Sequence, residues 1–284
     1  MTAGLVDAHH HVWDLTVRDQ DWITGEALAP IRRDFGVADL EPEAAAVGVT
    51  RTVVVQTVTV AEETPELLEL AADSRLVAGV VGWVDLTAPD VADRLAALRE
   101  LPGGDALVGI RHQVQSEPDP DWLVSEGALR GLAAIEQVGL VYDLVLVAHQ
   151  LPAAARAAEL LPGLSFVLDH LGKPPIAAGG MEPWASDVRR LAALPNASCK
   201  LSGMVTEADW DHWKPDDLRP YADTVLDAFG PDRLMFGSDW PVCTLVAGYR
   251  EVFDLAQDLT GRLSEAERAA VFGGTATRIY GLTD

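Results

Sequence analysis

Three consecutive histidines close a short apolar run near the N-terminus, and other titratable residues close later runs. Side chains alternate along an extended strand, so His9 and His11 point to one side and His10 to the other. His170 and Asp239 end two later runs. Imidazoles and a carboxylate brought together can bind a divalent metal ion or transfer protons. A lone histidine is usually a packing residue, so we expect function for the pair at 9 and 11 and a structural role for His10.

Further polar and aromatic residues lie near the same predicted strand ends. Arg111 could form a structural ion pair or donate two hydrogen bonds to a substrate carboxylate or polyol, while its neighbour His112 should face the other way. Lys200 could equally pair with an acid or serve a site. Tryptophans here either pack in the core or form an aromatic wall for a sugar-like ring. The predicted substrate-binding residues are Arg111, His112, Trp22, Trp83, Lys200 and Trp240.

Eight short runs rich in β-branched residues predict the strands that position these side chains, and helical patterns lie between them. The runs are Leu5–His10, Thr50–Gln56, Leu76–Val84, Leu107–His112, Leu140–Leu146, Leu164–His170, Ala197–Ser202 and Arg233–Asp239. Eight strands that alternate with helices predict an α/β fold, the (β/α)8 TIM-type barrel. In this fold the polar ends of the strands lie on the same face, which carries the active site. A doubly wound sheet is the alternative, but no glycine-rich turn follows the first strand. The irregular stretch Asp14–Gly36 is predicted to cross the mouth of the barrel.

Composition excludes several classes of function. The chain has 284 residues, 49% of them hydrophobic, and shows no break in composition, which predicts one domain over residues 1–284. A net charge of −23 opposes binding to nucleic acid or anionic lipid. The sequence has no apolar stretch of about 18 residues that is free of charged residues, so no membrane span is predicted. The two cysteines, Cys199 and Cys243, lack the C-x-x-C spacing, which indicates free thiols in a reducing compartment. We therefore expect a cytoplasmic protein. The sequence indicates no particular oligomeric state.

Several short motifs resemble, in the same order along the chain, those of the amidohydrolase superfamily. They are Val6–Asp14 (VDAHHHVWD), Gly79–Leu86 (GVVGWVDL), Gly109–His112 (GIRH), Leu168–Pro174 (LDHLGKP), Lys200–Gly203 (KLSG) and Gly237–Pro241 (GSDWP). Together they are similar to the lactonase branch, which includes L-fuconolactonases, L-rhamnonolactonases and pyrone-dicarboxylate lactonases. The resemblance implies a distorted (β/α)8 barrel that opens a lactone ring with water, so the expected partner is a small-molecule lactone.

The resemblance also implies roles for individual residues. Asp239 would be the general base, and partial burial would suit it by raising its pKa. His9, His11 and His170 would polarise the lactone carbonyl or, with Asp239, hold a metal ion, while Arg111 would bind substrate oxygens. Superfamily members with two metals carry a lysine or glutamate on the fourth strand, where this chain has Arg111 and His112. The resemblance therefore implies one divalent ion, most readily Zn²⁺, or none.

The main prediction is a hydrolase that opens a sugar-derived lactone of the L-fuconolactone or L-rhamnonolactone type. The alternatives are a metal-dependent decarboxylase, a pyrone-dicarboxylate lactonase and a non-catalytic binding barrel. A dicarboxylate pyrone would need several arginines at the mouth. Here Arg111 is placed well, and Arg32 and Arg33 could reach in only from the long loop.

Overall fold

A computed structural model describes residues 4–283 of the chain. Eight parallel strands follow one another around a single sheet in sequence order. They are β1 (Leu5–His10), β2 (Val49–Val55), β3 (Val77–Gly82), β4 (Leu107–Gln113), β5 (Val141–Val145), β6 (Phe166–Leu168), β7 (Ala197–Leu201) and β8 (Leu234–Phe236). The prediction of a (β/α)8 barrel is confirmed.

Helices follow the strands and pack against the outside of the sheet. They are α1 (Val37–Val47), α2 (Glu63–Asp73), α3 (Val91–Arg99), α4 (Glu126–Gln137), α5 (Leu151–Leu160), α6 (Trp184–Ala192), α7 (Pro215–Phe229), α8 (Tyr249–Leu259), α9 (Glu265–Ala269) and α10 (Thr275–Tyr280). Local signals fix several ends: the Ser125 hydroxyl caps α4, and Gly48 ends α1 in the left-handed conformation. In the described part of the chain, no helix is both long and apolar enough to cross a membrane.

The barrel closes beyond the end of β8 rather than along it. The Asp239 amide donates to the His9 carbonyl at 2.8 Å, and the His11 amide donates to the Trp240 carbonyl at 2.7 Å. The segment after β8 therefore continues the sheet beside β1. This distortion carries the Asp239 side chain to the mouth of the barrel next to the histidines.

The two strands that were predicted to end at His170 and Asp239 stop earlier, and the reason lies in their backbone. β6 and β8 were predicted to reach His170 and Asp239, but they stop at Leu168 and Phe236. His170 and Asp239 have φ of 52° and 59°, a left-handed conformation that cannot continue a strand. Such conformations cost free energy in a residue other than glycine and concentrate at functional sites.

The lower interior of the barrel is apolar and is closed by the C-terminal helix. Valines on β2, β3, β5 and β6 pack there with Ala276 and Tyr280 of α10 and with Leu282. Tyr280 is 4% exposed, and its hydroxyl reaches up to the polar layer above. The long segment after β1 lies at the other end, where Trp13 pairs with Phe35 and brings Trp22 to the mouth.

Candidate active site

One carboxylate and three imidazoles converge at the mouth of the barrel. Oδ1 of Asp239 lies 3.4 Å from Nε2 of His11, 3.8 Å from Nε2 of His9 and 3.9 Å from Nε2 of His170. The Nε2 atoms of His9 and His11 are 3.2 Å apart. All four side chains are buried. The structure thus brings together the four residues that were predicted to be catalytic and metal-binding.

Each imidazole presents Nε2 to this cluster because its Nδ1 is held by another group. His11 Nδ1 lies 2.7 Å from the Val55 carbonyl, an acceptor, so it must carry a proton and donate. His170 Nδ1 lies 2.9 Å from the Ser202 hydroxyl. Partners of this kind fix the ring orientation of histidines and leave Nε2 free to act as a ligand or acceptor. Ser202 therefore contributes to the site although it does not join the cluster.

Two local backbone features let the loops approach the histidines closely. Gly203 has φ of 62°, and a Cβ there would lie 2.4 Å from His170 Nδ1. A Cβ on Gly237 would lie 2.6 Å from the Cβ of His9. Only glycine fits at both positions. The glycines in the KLSG and GSDWP motifs therefore position the imidazoles.

The regular alternation of side chains along β1 is interrupted between Asp7 and the histidines. Asp7 accepts a hydrogen bond from Tyr249 of α8 at 3.0 Å, whereas His9 faces the interior of the barrel. A register shift between Asp7 and His10 allows this reversal. His10 lies on the opposite side from its neighbours, where its Nε2 is 2.9 Å from the Thr52 hydroxyl.

The converging atoms suit a single divalent metal ion. Ligand atoms of His9, His170 and Asp239 lie within 4.8 Å of one another. Two ligands at about 2.05 Å from a tetrahedral ion are about 3.3 Å apart, close to the 3.2–3.9 Å separations measured here. Neutral imidazole nitrogens are borderline donors and a carboxylate oxygen is a hard donor, and first-row divalent metals such as Zn²⁺ accept both. The residues present fit one such ion.

A buried charge layer lies directly beneath the cluster. Nζ of Lys200 lies 3.0 Å from Oδ1 of Asp169 and also pairs with Asp143. Asp143 accepts the Tyr280 hydroxyl at 2.8 Å. Lys200 Nζ and Asp169 Oδ1 approach His9 Nδ1 to 3.1 Å and 3.3 Å. This layer, formed by Asp143, Asp169, Lys200, Arg111 and Tyr280, supports His9 from below, and we call it the charge layer.

Arg111 belongs to the charge layer rather than to the open cavity, although it touches the cavity wall. Its Nη1 donates to Asp169 at 3.0 Å and lies 3.4 Å from His9 Nε2. Its Nε and Nη2 donate to the side chain and carbonyl of Gln56. Four of the five N–H groups of the guanidinium thus donate to oxygen atoms of Asp169 and Gln56, and the fifth lies against His9 Nε2. A substrate contact, as predicted for Arg111, would need one of these bonds to be exchanged.

The pKa values follow burial modified by these contacts. Burial raises the pKa of Asp239, but His170 and His11 lower it by more, so its net pKa lies below the ordinary value. The expected increase is therefore wrong in direction. Burial lowers the pKa of His170 to about 4 and that of His9 well below its ordinary value. At neutral pH the cluster consists of an ionised carboxylate and uncharged His9 and His170, the protonation states that a base and metal ligands require.

A cavity of about 410 Å³ opens above the cluster. His11, His170 and Asp239 lie on its floor, and loops after several strands form its wall. Trp22 lies on one side and Trp210, Lys173 and Glu207 on another. This volume suits a small-molecule ligand of one ring.

Two of the predicted substrate-binding residues reach this cavity beside Arg111. Trp22 lines it directly. His112 lies at the rim, where it pairs with Glu117 at 2.8 Å and stacks on Trp122 with ring centroids 4.3 Å apart. Arg111 and His112 both line the cavity, so the prediction that His112 faces the other way is wrong. Both lie near the end of β4, just before the helical turn at Val114–Ser116.

The other three predicted substrate-binding residues do not line the cavity. Trp83 lies behind His112 and donates to its Nδ1 at 3.0 Å. Lys200 is completely buried in the charge layer. Trp240 packs against Phe35, with centroids 5.4 Å apart, and its carbonyl helps to close the barrel. Their roles are to position other residues, because packing or ion pairing takes the groups that a substrate would contact.

Sequence reasoning missed two residues that matter to the geometry. Asp169 holds Lys200, Arg111 and His9 together, and the only signal was its place next to His170 in the Asp-His pair that ends a predicted strand. Glu207 lies on a short turn after β7 and faces the cavity, and nothing in its sequence context marks it.

Comparison with known proteins places this geometry in a family. The amidohydrolase family model matches residues 6–282. An L-fucono-1,5-lactonase of Burkholderia multivorans is 42% identical over 100% of this chain and 98% of its own length. An amidohydrolase of B. multivorans solved with bound zinc superposes with a TM-score of 0.93 at 42% identity, covering 99% of this chain and all of the other.

More distant structures share only the fold. A putative 2-pyrone-4,6-dicarboxylic acid hydrolase from Pseudomonas putida superposes with a TM-score of 0.78 at 21% identity, over all of both chains. The family match covers all eight strands and every residue of the metal-competent cluster. The chain belongs to the amidohydrolase family.

Proposed function

We propose that this protein hydrolyses a sugar-derived lactone of the L-fucono-1,5-lactone type. The observation that carries the proposal is the Asp239 carboxylate on the floor of a cavity of about 410 Å³, where its Oδ1 lies within 3.9 Å of three imidazole Nε2 atoms. Full-length similarity at 42% identity to an L-fucono-1,5-lactonase supports the substrate class. The preferred ring size and stereochemistry follow from the cavity wall rather than from the cluster.

In the proposed reaction, Asp239 accepts a proton from the water that attacks the lactone carbonyl. Its Oδ1 lies 3.4–3.9 Å from three imidazole Nε2 atoms, which supports a role for these groups in orienting that water. His11 and His170 line the cavity floor with their Nδ1 atoms held by protein partners, which supports a role for them in polarising the lactone carbonyl. Arg111 and Lys200 stabilise negative charge near His9 from beneath. Asp239 then gives this proton to the ring oxygen as the bond between the carbonyl carbon and that oxygen breaks, which opens the ring to a sugar acid.

We propose Zn²⁺ as the ion that His9, His11, His170 and Asp239 hold. When bound, the ion would polarise the carbonyl and make the attacking water more acidic. The zinc-bound B. multivorans amidohydrolase, at 42% identity, supports this choice. For His9 to serve as a ligand through Nε2, its Nδ1 must donate to Asp169, which is 3.3 Å away.

A dicarboxylate pyrone is a less suitable substrate for this cavity. Arg111 is the only arginine among the described residues that line it, and its N–H groups are already occupied. Two carboxylates would need several free cationic donors. Arg33 stacks on Phe35 at 3.7 Å and does not line the cavity.

A proton-release assay on the purified protein tests the proposal. The panel would contain L-fucono- and L-rhamnono-lactones, other aldonolactones, a pyrone dicarboxylate and a dihydroxybenzoate, with CO₂ release followed in parallel. We expect rapid acid release from one or two sugar lactones. The proposal would be contradicted if no lactone in the panel released acid, or if the aromatic acid released CO₂.

A further inference from the structure

Lys173 and Glu207 form an ion pair on the cavity wall that the proposed hydrolytic step does not use. Lys173 Nζ lies 3.7 Å from Glu207 Oε1, and the two side chains are 25% and 27% exposed. Charge-assisted hydrogen bonds usually span about 2.7–2.9 Å, so this pair is loose. Among the described residues, no other side chain or amide hydrogen-bonds to the Glu207 carboxylate. Both residues keep hydrogen-bonding capacity for a ligand.

The backbone holds this pair in place at the edge of the catalytic cluster. Lys173 has φ of 51° and ends the left-handed turn that begins at His170. This one turn therefore presents the side chains of His170 and Lys173 to the cavity. Glu207 lies on the turn after β7, and its carbonyl accepts the Ala177 amide at 3.0 Å. That bond ties the loop after β7 to the loop after β6. The spacing of the pair is therefore set before a ligand arrives.

An aromatic ring stands beside the pair. Trp210 lines the same cavity and is 36% exposed, and its indole N–H donates to the Thr206 carbonyl at 2.9 Å. Tethering the polar edge of the ring leaves its apolar face available. Partial burial raises the pKa of Glu207, with Lys173 opposing the increase. A partly desolvated carboxylate gains from hydroxyl donors, and an exposed ring gains from the C–H face of a sugar.

We propose that Lys173, Glu207 and Trp210 form the subsite that selects lactones carrying several hydroxyl groups. Glu207 accepts hydrogen bonds from neighbouring ligand hydroxyls, Lys173 donates to a hydroxyl or ring oxygen, and Trp210 covers the C–H face. This inference rests on the proposed lactonase function. A site built to hydrogen-bond hydroxyls discriminates strongly against analogues that lack them. The selected ligand class is thus a polyhydroxylated lactone rather than an alkyl lactone.

The test compares kcat/KM for L-fucono-1,5-lactone and for δ-valerolactone, a ring without hydroxyls, in wild type, Glu207→Gln and Lys173→Met. Each substitution keeps the approximate side-chain volume. We expect the loss on the hydroxylated lactone to exceed the loss on δ-valerolactone by about 10- to 100-fold, mainly through KM. Glu159→Gln, which removes a surface acid paired with Arg190, is the matched control and should change neither value.

The outcomes separate the two proposals. A selective loss on the hydroxylated lactone supports the subsite. Equal losses on both substrates, or no loss, in folded variants with wild-type melting temperatures would overturn it while leaving the lactonase function intact. Failure of the wild type to open either lactone would instead contradict the proposed function.

Discussion

The cluster at the cavity floor and the charge layer beneath it use similar residues in opposite ways. In the cluster, His11, His170 and Asp239 line the cavity, and the Nδ1 atoms of the two imidazoles are fixed by protein partners. In the charge layer, Lys200 and Arg111 donate almost entirely to protein acceptors. The first arrangement leaves lone pairs for water, metal or substrate. The second neutralises buried charge and holds His9 still.

This difference shows that burial alone does not identify a catalytic group. Lys200 is as buried as His9, yet its ammonium forms ion pairs with the carboxylates of Asp143 and Asp169. What distinguishes the cluster is that protein partners outside it hold His11 and His170 only through their Nδ1 atoms. His9 is the exception, because Arg111 Nη1 also lies 3.4 Å from its Nε2. Substitutions in the two layers should therefore fail in different ways, the upper ones in activity and the lower ones in stability.

The largest expected effect is on catalysis in the cluster. Asp239→Asn keeps the size of the side chain but removes the base, so kcat should fall about 1000-fold or more while the melting temperature changes little. Steady-state kinetics and thermal unfolding check this. Asp254→Asn, at an exposed acid of α8, is the control and should keep the wild-type rate. An Asp239→Asn enzyme of near wild-type rate would remove Asp239 from the role of base.

The next effect is on the stability of the charge layer. Lys200→Met leaves Asp143 and Asp169 buried without their common cation, so the free energy of unfolding should fall by about 3–5 kcal/mol. The comparison is Arg190→Met, which breaks a surface pair with Glu159 and should cost about 0–1 kcal/mol. Urea unfolding measures both. Equal losses for the two variants would mean that the charge layer is not a stabilising unit.

A smaller effect is expected on the affinity for Zn²⁺ when the hydroxyl that holds His170 is removed. Ser202→Ala removes the partner of His170 Nδ1, so the affinity for Zn²⁺ should fall about 10- to 100-fold. Competition with a chelator measures that affinity directly. Ser198→Ala, on β7 and four residues before Ser202, serves as the control. Unchanged zinc affinity in Ser202→Ala would mean that the hydroxyl does not orient the imidazole.

The smallest effect concerns pH and the hydroxyl of Tyr280. Burial raises the pKa of Asp143 to about 6, with Lys200 opposing, so this carboxyl contributes stability that is present below about pH 4 and lost as pH rises through 6. Tyr280 donates to the carboxylate and stabilises its ionised form. Tyr280→Phe should therefore cost about 1.5–3 kcal/mol above pH 6 and less below pH 4.

Unfolding free energies across this pH range test that expectation. Tyr221→Phe, whose hydroxyl donates to the uncharged Gly180 carbonyl, is the control and should show a cost that does not vary with pH. A pH-independent cost in Tyr280→Phe would mean that Asp143 does not change its charge between pH 4 and 6.

Much of the fold and part of the site could be predicted from the sequence. Short runs rich in β-branched residues, separated by helical patterns, located all eight strands, because buried parallel strands are continuous apolar runs. Alternation along β1 placed His9 and His11 together and His10 apart, as the structure has them. The motif glycines, Gly203 and Gly237, were visible in the sequence, but their close approach to imidazoles was not.

Features that depend on contacts between distant residues were not predictable. The left-handed backbone at His170 and Asp239 ends two strands early, and no local composition announces it. The pKa of Asp239 is lowered because two imidazoles offset its burial, a balance that only their distances reveal. Lys200 stood out in the sequence by scarcity, yet its two buried partners come from β5 and the end of β6.

The contact between Tyr280 and Asp143 has a consequence for the order of assembly. The hydroxyl belongs to α10, which follows the eighth strand, whereas its acceptor lies on β5. During synthesis, Asp143 and Lys200 therefore emerge long before their capping partner does. The charge layer of a nascent barrel therefore stays open from below until α10 packs against it, so the support of His9 is complete only after all eight strands have been made.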